Sequence, residues 1–278
     1  MDTPRTDRAR RAGLLSVIVL ALAAHAPRAA AQQPAPAPAD NEYQVGSILW
    51  TQQAGEWRAL AYQAFALARL RLDEDLRKNK KKKPQRAVVV DVDETVLDNS
   101  PQQAYLVKQR KAFNQPDWAA WVARAEAAAL PGAVEFLRYA ASKGVRVFYV
   151  TNRSEAERAG TAENLNRLGF PTADKETLLL RADASSKEAR RQAVAAQYRI
   201  VLLLGDNLND FAEVFEKKTV SERLAAVEQN RDQFGARFIV LPNAMYGDWE
   251  NAIYQGLAPG ETRTQRRHDT LKAAPLQQ

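Results

Sequence analysis

Acidic side chains gather where apolar segments end. The run Ala87-Val88-Val89-Val90 passes directly into Asp91-Val92-Asp93-Glu94-Thr95, and the apolar segment 200–204 into Gly205-Asp206-Asn207-Leu208-Asn209-Asp210. A third apolar segment, 145–150, runs into Thr151-Asn152-Arg153, and Lys187 stands in Ser185-Ser186-Lys187-Glu188. Acids at the end of a buried strand are costly unless a cation or ligand meets them. Asp91, Asp93, Asp206 and Asp210, with Thr151 and Lys187, would form an acidic pocket with one electropositive corner of phosphate size. Such a pocket needs a cation to keep its carboxylates ionised, and an all-oxygen donor set favours Mg2+.

The rest of the composition removes competing chemistries. The 278 residues include no Cys, so disulfides, thiolate nucleophiles and Cys-ligated metals are excluded. The two His, His25 and His268, stand near opposite ends, which leaves no Ser-His-Asp triad or multi-His metal site in the middle. Catalysis must rest on carboxylates, Lys, hydroxyls and a hard metal. At 46% apolar and 26% charged residues, the chain has the material for a full globular core.

The elements that position these residues are legible as a pattern. Segments 87–90, 145–150, 200–204 and 238–241 are short, apolar and rich in β-branched residues, as buried parallel strands are. Helical stretches separate them, including Pro131–Gly144, which has Pro near its start and Gly at its stop. Strands alternating with helices predict an α/β fold, a parallel sheet with helices on both faces. In such a sheet ligands bind beyond the carboxyl ends of the strands, where the four acids converge. Residues 46–77 read as a helix with Trp57, Leu60, Ala64, Leu67 and Ala68 on one stripe. Residues 101–130, rich in Ala and Trp, exceed a plain crossover and predict a small helical insertion.

Both termini are expected to lie outside that body. Arg5, Arg8, Arg10 and Arg11, the apolar run Leu14–Ala24 and the small residues Ala29–Ala31 have the three-part layout of an export signal spanning 1–31. A spacer follows at 32–42, then the folded domain at 43–257 and a C-terminal tail at 258–278. The expected location is periplasmic or secreted after cleavage near Ala31. No Cys is present to carry a lipid, so no lipid anchor is evident. The formal charge of +7 falls to +4 once the five Arg and two Asp of residues 1–31 are removed. The run 77–86 holds seven positive charges, which leaves −3 for everything else. It has no interleaved aromatics for stacking on bases, which makes a nucleic-acid polymer an unsuitable partner and a solvated linker the simpler reading.

In order, Val88–Ser100, Tyr149–Arg153, Lys187 and Gly205–Phe211 resemble the four motifs of haloacid dehalogenase (HAD) superfamily phosphatases. Within that superfamily the chain is similar to class C acid phosphatases and to bacterial outer-membrane lipoprotein 5′-nucleotidases, with further similar stretches at Pro131–Leu137 and Leu241–Glu250. The resemblance implies a HAD-like Rossmannoid sheet, a small phosphomonoester substrate, and a homodimer as in many members. The lipoprotein members carry an acylated Cys that this chain lacks.

Asp91, first after its strand, can attack phosphorus and form an aspartyl-phosphate. Asp93, two residues on, can protonate the leaving oxygen and then accept a proton from water. Mg2+ would be held by Asp91, Asp206 and, by resemblance, the backbone carbonyl of Asp93, with Asp210 completing its surroundings. Thr151, Asn152 and Lys187 would bind the phosphoryl oxygens. Trp118, Trp121 and Tyr246 could stack on a base, although aromatics also serve as core; the resemblance favours nucleoside monophosphates as substrates. The alternatives are a non-catalytic polyanion- or surface-binding protein on the same scaffold, and a phosphotransferase that shares the aspartyl-phosphate.

Overall fold

The apolar runs form strands because they have no polar face to leave in water. A computed structural model describes residues 40–79 and 84–274. The expected export signal, the spacer up to residue 39 and Lys80–Lys83 lie outside the described residues. Among the described residues there are seven strands: β1 (Arg86–Val90), β2 (Leu97–Asp98), β3 (Ala128–Ala129), β4 (Arg146–Ser154), β5 (Leu178–Arg181), β6 (Arg199–Gly205) and β7 (Phe238–Val240). Five of them make one parallel sheet in the order β5-β4-β1-β6-β7.

The chain leaves β1 towards one edge through β4 and β5, then crosses back to β6 on the other side of β1. That reversal opens the crevice in which α/β sheets bind ligands, and Asp91 stands at its centre. β5, which the sequence reading did not anticipate, has only four residues, too few for its Leu178-Leu179-Leu180 to show a period.

The helices are α1 (Val45–Gln53), α2 (Gly55–Lys78), α3 (Ser100–Lys108), α4 (Gln115–Arg124), α5 (Ala133–Ser142), α6 (Arg158–Leu168), α7 (Glu188–Ala195), α8 (Val220–Gln229), α9 (Asp248–Ile253) and α10 (Arg263–Thr270). Strand residues alternate between two cores. Val88, Val90 and Leu204 pack with Phe65 and Leu72 of α2, Leu137 of α5 and Leu165 of α6. Ala87, Val89 and Leu203 face Val194 of α7 and Ala226 of α8 on the other side. The sheet is therefore covered on both faces, as the unbroken apolar runs require.

Two expectations are corrected. The helix predicted over 46–77 is two helices, divided at Ala54, whose ψ of 127° is extended. The buried face of α2 is Trp57, Ala61, Ala64, Phe65, Ala68 and Leu72, which follows the 3.6-residue period; Leu60 falls off that stripe and is 41% exposed. The last residues of the predicted spacer also belong to the body. Asn41 is buried and donates to the Lys111 carbonyl at 3.0 Å, and Asp40 pairs with Arg267 of α10 at 2.9 Å.

The insertion is α3 and α4, closed at its neck by antiparallel β2 and β3. It is seated on the body at two places, α3 against α1 and α4 against α6. A Cβ at Gly160 would lie 2.4 Å from the Val122 carbonyl oxygen, so the absence of a side chain there sets the approach of α4 to α6.

Candidate active site

The carboxyl ends of β1, β4 and β6 bring the predicted acids together. Asp91 follows β1 directly, and its backbone N–H donates to the Leu204 carbonyl at 3.0 Å, which extends the ladder to this residue. Carboxylate oxygens of Asp91, Asp206 and Asp210 all lie within 4.8 Å of one another. Gly205 makes this possible: a Cβ there would meet the Asp210 Cβ and Oδ2 at 2.4 Å. The Lys187 ammonium, delivered by the start of α7, bonds Asp91 Oδ1 and reaches Asp210 Oδ1 at 2.6 Å. All three residues are nearly inaccessible.

The electrostatics are those of an acid-rich site with too little positive charge. Burial lifts the Asp91 carboxyl to about 7 although Lys187 opposes the rise, and Asp210 and Asp93 add to it. Burial, then Asp210 and Asp91, hold Asp206 well above the usual range. Burial disfavours the Lys187 charge, but Asp210 and Asp91 outweigh it and raise this ammonium above the ordinary lysine range. Three carboxylates against one ammonium is a hard, oxygen-only donor set with negative charge to spare, and it fits a divalent cation such as Mg2+.

Asp93 points elsewhere. Its carboxylate is not in the three-acid group; it is held by Arg153 Nη2 at 2.8 Å and Nε at 3.0 Å, by Asn99 Nδ2 at 2.9 Å and by Thr151 Oγ1 at 3.4 Å. β4 runs on through Ser154, so Thr151 and Arg153 sit in the strand rather than after it, on the same side because side chains alternate. Asn152, between them, is exposed and accepts from Arg190 Nη2 at 2.7 Å.

The aromatics divide. Trp118 is buried, with the Arg153 guanidinium 5.3 Å from its ring centroid, because the amphipathic α4 turns it inward. Trp121 donates to Asn99 Oδ1 at 2.8 Å. Tyr246 donates its hydroxyl to Glu94, which also accepts from the Asn99 backbone N–H at 2.8 Å. Glu94 is buried at φ +53°, and burial, then Asp93 and Asp206, raise its carboxyl well above the ordinary value.

Sequence reasoning missed Asn99, Arg153, Asn243 and Arg190. Asn243 donates to Asp206 Oδ2 at 2.8 Å, and Arg190 Nη1 donates to the Thr151 carbonyl at 2.5 Å. Only Arg153 carried a signal, its spacing of two from Thr151 on a strand. A cavity of about 360 Å3 opens beside Lys187 and Asp210. A larger one of about 550 Å3 lies by Arg199 and Tyr198, at the opposite end of the strands, where Asp75 is spent on Arg86 and Arg199.

Residues 12–249 match the family described as HAD superfamily, subfamily IIIB (Acid phosphatase). The class C acid phosphatase from Bacillus anthracis is 44% identical, with a TM-score of 0.78 over 84% of this chain and 98% of that one. Its tungstate-bound structure is 45% identical with a TM-score of 0.79 over the same shares. Acid phosphatase 1 of Solanum lycopersicum is 32% identical over 130 residues, 44% of this chain and 50% of that protein. A stem 31 kDa glycoprotein of Glycine max is 32% identical over 128 residues, 43% of this chain and 49% of that protein. The chain spans about half the length of these two curated relatives.

Proposed function

Because the chain belongs to the acid phosphatase subfamily IIIB of the HAD superfamily, we propose that it is an exported, Mg2+-dependent phosphomonoesterase acting through an aspartyl-phosphate on Asp91. Its proposed substrates are small phosphate esters, foremost nucleoside 5′-monophosphates. One observation carries the reading: Asp91 at the end of β1 is bonded to Lys187, while Asp93, two residues on, is held by a separate set of donors. Two carboxylates so divided suit two tasks, nucleophile and proton carrier.

An Asp91 oxygen attacks phosphorus as the ester P–O bond breaks, and Asp93 delivers a proton to the leaving oxygen. Asp93 then takes a proton from the water that attacks the aspartyl-phosphate, which releases phosphate and restores Asp91. Arg153 and Asn99 fix the Asp93 carboxylate for both transfers. Lys187, Thr151 and Asn152 hold the phosphoryl oxygens. Asp91, Asp206 and Asp210 would hold Mg2+, with the Asp93 backbone carbonyl, and the bound ion offsets the repulsion between nucleophile and phosphate.

Tyr246, its hydroxyl tied to Glu94, supplies a ring for stacking on a base, and Trp121, bonded to Asn99, supplies a second. Trp118 supports Arg153 from beneath. Tungstate, bound in the Bacillus anthracis relative, is an oxyanion, as the phosphoryl group of a substrate is. Export rests on the layout of residues 1–31; no helix among the described residues is long and apolar enough to cross a membrane.

The test is phosphate release by the chain beginning after Ala31, with Mg2+ or a chelator, from p-nitrophenyl phosphate and 5′-AMP between about pH 5 and 7. Release that the chelator stops is expected; no release from either ester overturns the reading. Asp91→Asn should lower kcat at least about 100-fold with an unchanged circular dichroism spectrum. Retained turnover would reassign the nucleophile.

A further inference from the structure

The cavity beside Lys187 extends past the phosphoryl site to the turn after Phe215. Asn152, Lys187 and Asp210 line it together with Lys217, Lys218 and Arg223. Its volume of about 360 Å3 is at the lower end of small-ligand pockets. The turn is pinned from both sides: Ser186 Oγ donates to Glu216 Oε1 at 2.8 Å, and Gln255 Nε2 donates to the Lys218 carbonyl at 3.1 Å. Between these ties Lys217 holds φ +54°, a conformation a lysine adopts only at a cost.

The cations in this cavity are not equivalent. Lys187 is committed to Asp91 and Asp210, and Arg223 donates to Asn209 Oδ1 at 3.1 Å and the Phe215 carbonyl at 2.9 Å. Among the described residues, Lys217 and Lys218 make no ion pair. The cavity's other acids are already engaged by neutral donors: Glu216 by Ser186, and Asp248 by Asn207 Nδ2 at 3.0 Å and Asn209 Nδ2 at 2.6 Å.

We infer that this cavity is a second anion subsite, in which Lys217 and Lys218 select phosphomonoesters that carry a further phosphate beyond the one being hydrolysed. The inference rests on the phosphatase reading for the phosphoryl site and adds a substrate class to it. A phosphate on the leaving group would extend from Lys187 along the cavity towards the turn that carries Lys217 and Lys218. The turn's ties to Ser186 and Gln255 hold the backbone that carries the two lysines before the ligand arrives.

The experiment compares initial phosphate release from adenosine 3′,5′-bisphosphate and 5′-AMP by the mature chain and by the double variant Lys217→Asn/Lys218→Gln. Asn is chosen at 217 because it tolerates positive φ. The wild type should favour the bisphosphate about tenfold in kcat/KM, and the preference should shrink as salt rises. In the double variant the ratio should fall to about one; as a ratio it is unmoved by a general loss of activity. A wild-type ratio near one, or a preference that survives in the variant, overturns the inference. If neither nucleotide nor p-nitrophenyl phosphate is hydrolysed, the phosphatase reading fails and the subsite is judged alone by calorimetric titration with adenosine 3′,5′-bisphosphate. Binding that the double substitution weakens upholds it; no binding, or equal binding, overturns it.

Discussion

Asn99 carries more of the site than its neutral side chain suggests. Its Nδ2 donates to Asp93, its Oδ1 accepts from Trp121, and its backbone N–H donates to Glu94, which in turn holds Tyr246. Asn99→Ala removes the side-chain contacts and leaves Asp93 to Arg153 and Thr151. An alkyl phosphate needs its leaving oxygen protonated, whereas p-nitrophenolate departs without help. The variant should therefore lose about tenfold or more in kcat on an alkyl phosphate and much less on p-nitrophenyl phosphate, measured side by side. An equal loss on both esters would confine Asn99 to folding. At this scale the sequence revealed the acids and Lys187, and hid Arg153 and Arg190 together with the neutral Asn99 and Asn243. Asp91, Asp206 and Asp210 were visible because acids after apolar strands demand a cation. Asn99 and Asn243 were not, since an Asn in a loop is indistinguishable from an ordinary turn residue until its partners are known.

At the scale of elements, the insertion's seat on the body decides whether Trp118 and Trp121 reach the site. α4 carries both rings and meets α6 where Gly160 faces the Val122 carbonyl. Gly160→Ala would place a methyl 2.4 Å from that oxygen and push α4 outward. The expected cost is about 1–3 kcal/mol in urea unfolding, with kcat/KM for 5′-AMP reduced because Trp121 withdraws from Asn99. Unaltered stability would show that α4 yields freely. The strands and the existence of the insertion were readable from apolar runs and from a crossover too long for one helix. The break at Ala54 was not, because a single Gly in Gln53-Ala54-Gly55 weakens a helix without forbidding it, and what settles the break is packing, α1 against α3 and α2 against α5.

For the whole molecule, the buried acids link stability to pH and to metal. Asp91 has a carboxyl raised to about 7, against an ordinary value near 3.8, so the metal-free folded state binds a proton more tightly than the unfolded chain does. Stability conferred by such a group is present at low pH and is lost as pH rises between those two values. Asp206, raised by the same burial, acts in the same direction. A divalent cation reverses the balance, because it binds the ionised carboxylates of the folded state and has no such cluster to bind in the unfolded chain. Metal-free protein should therefore melt lower at pH 7 than at pH 5, apart from what other groups contribute. Added Mg2+ should raise the midpoint by about 5–10 °C at pH 7 and far less at pH 5, where protons compete for the same oxygens. Scanning calorimetry with chelator and with Mg2+ at both pH values measures this, and Asp206→Asn separates it from surface effects by removing one ligand and most of the Mg2+ response. A Mg2+ shift of equal size at both pH values would mean that these carboxylates are not what the ion meets.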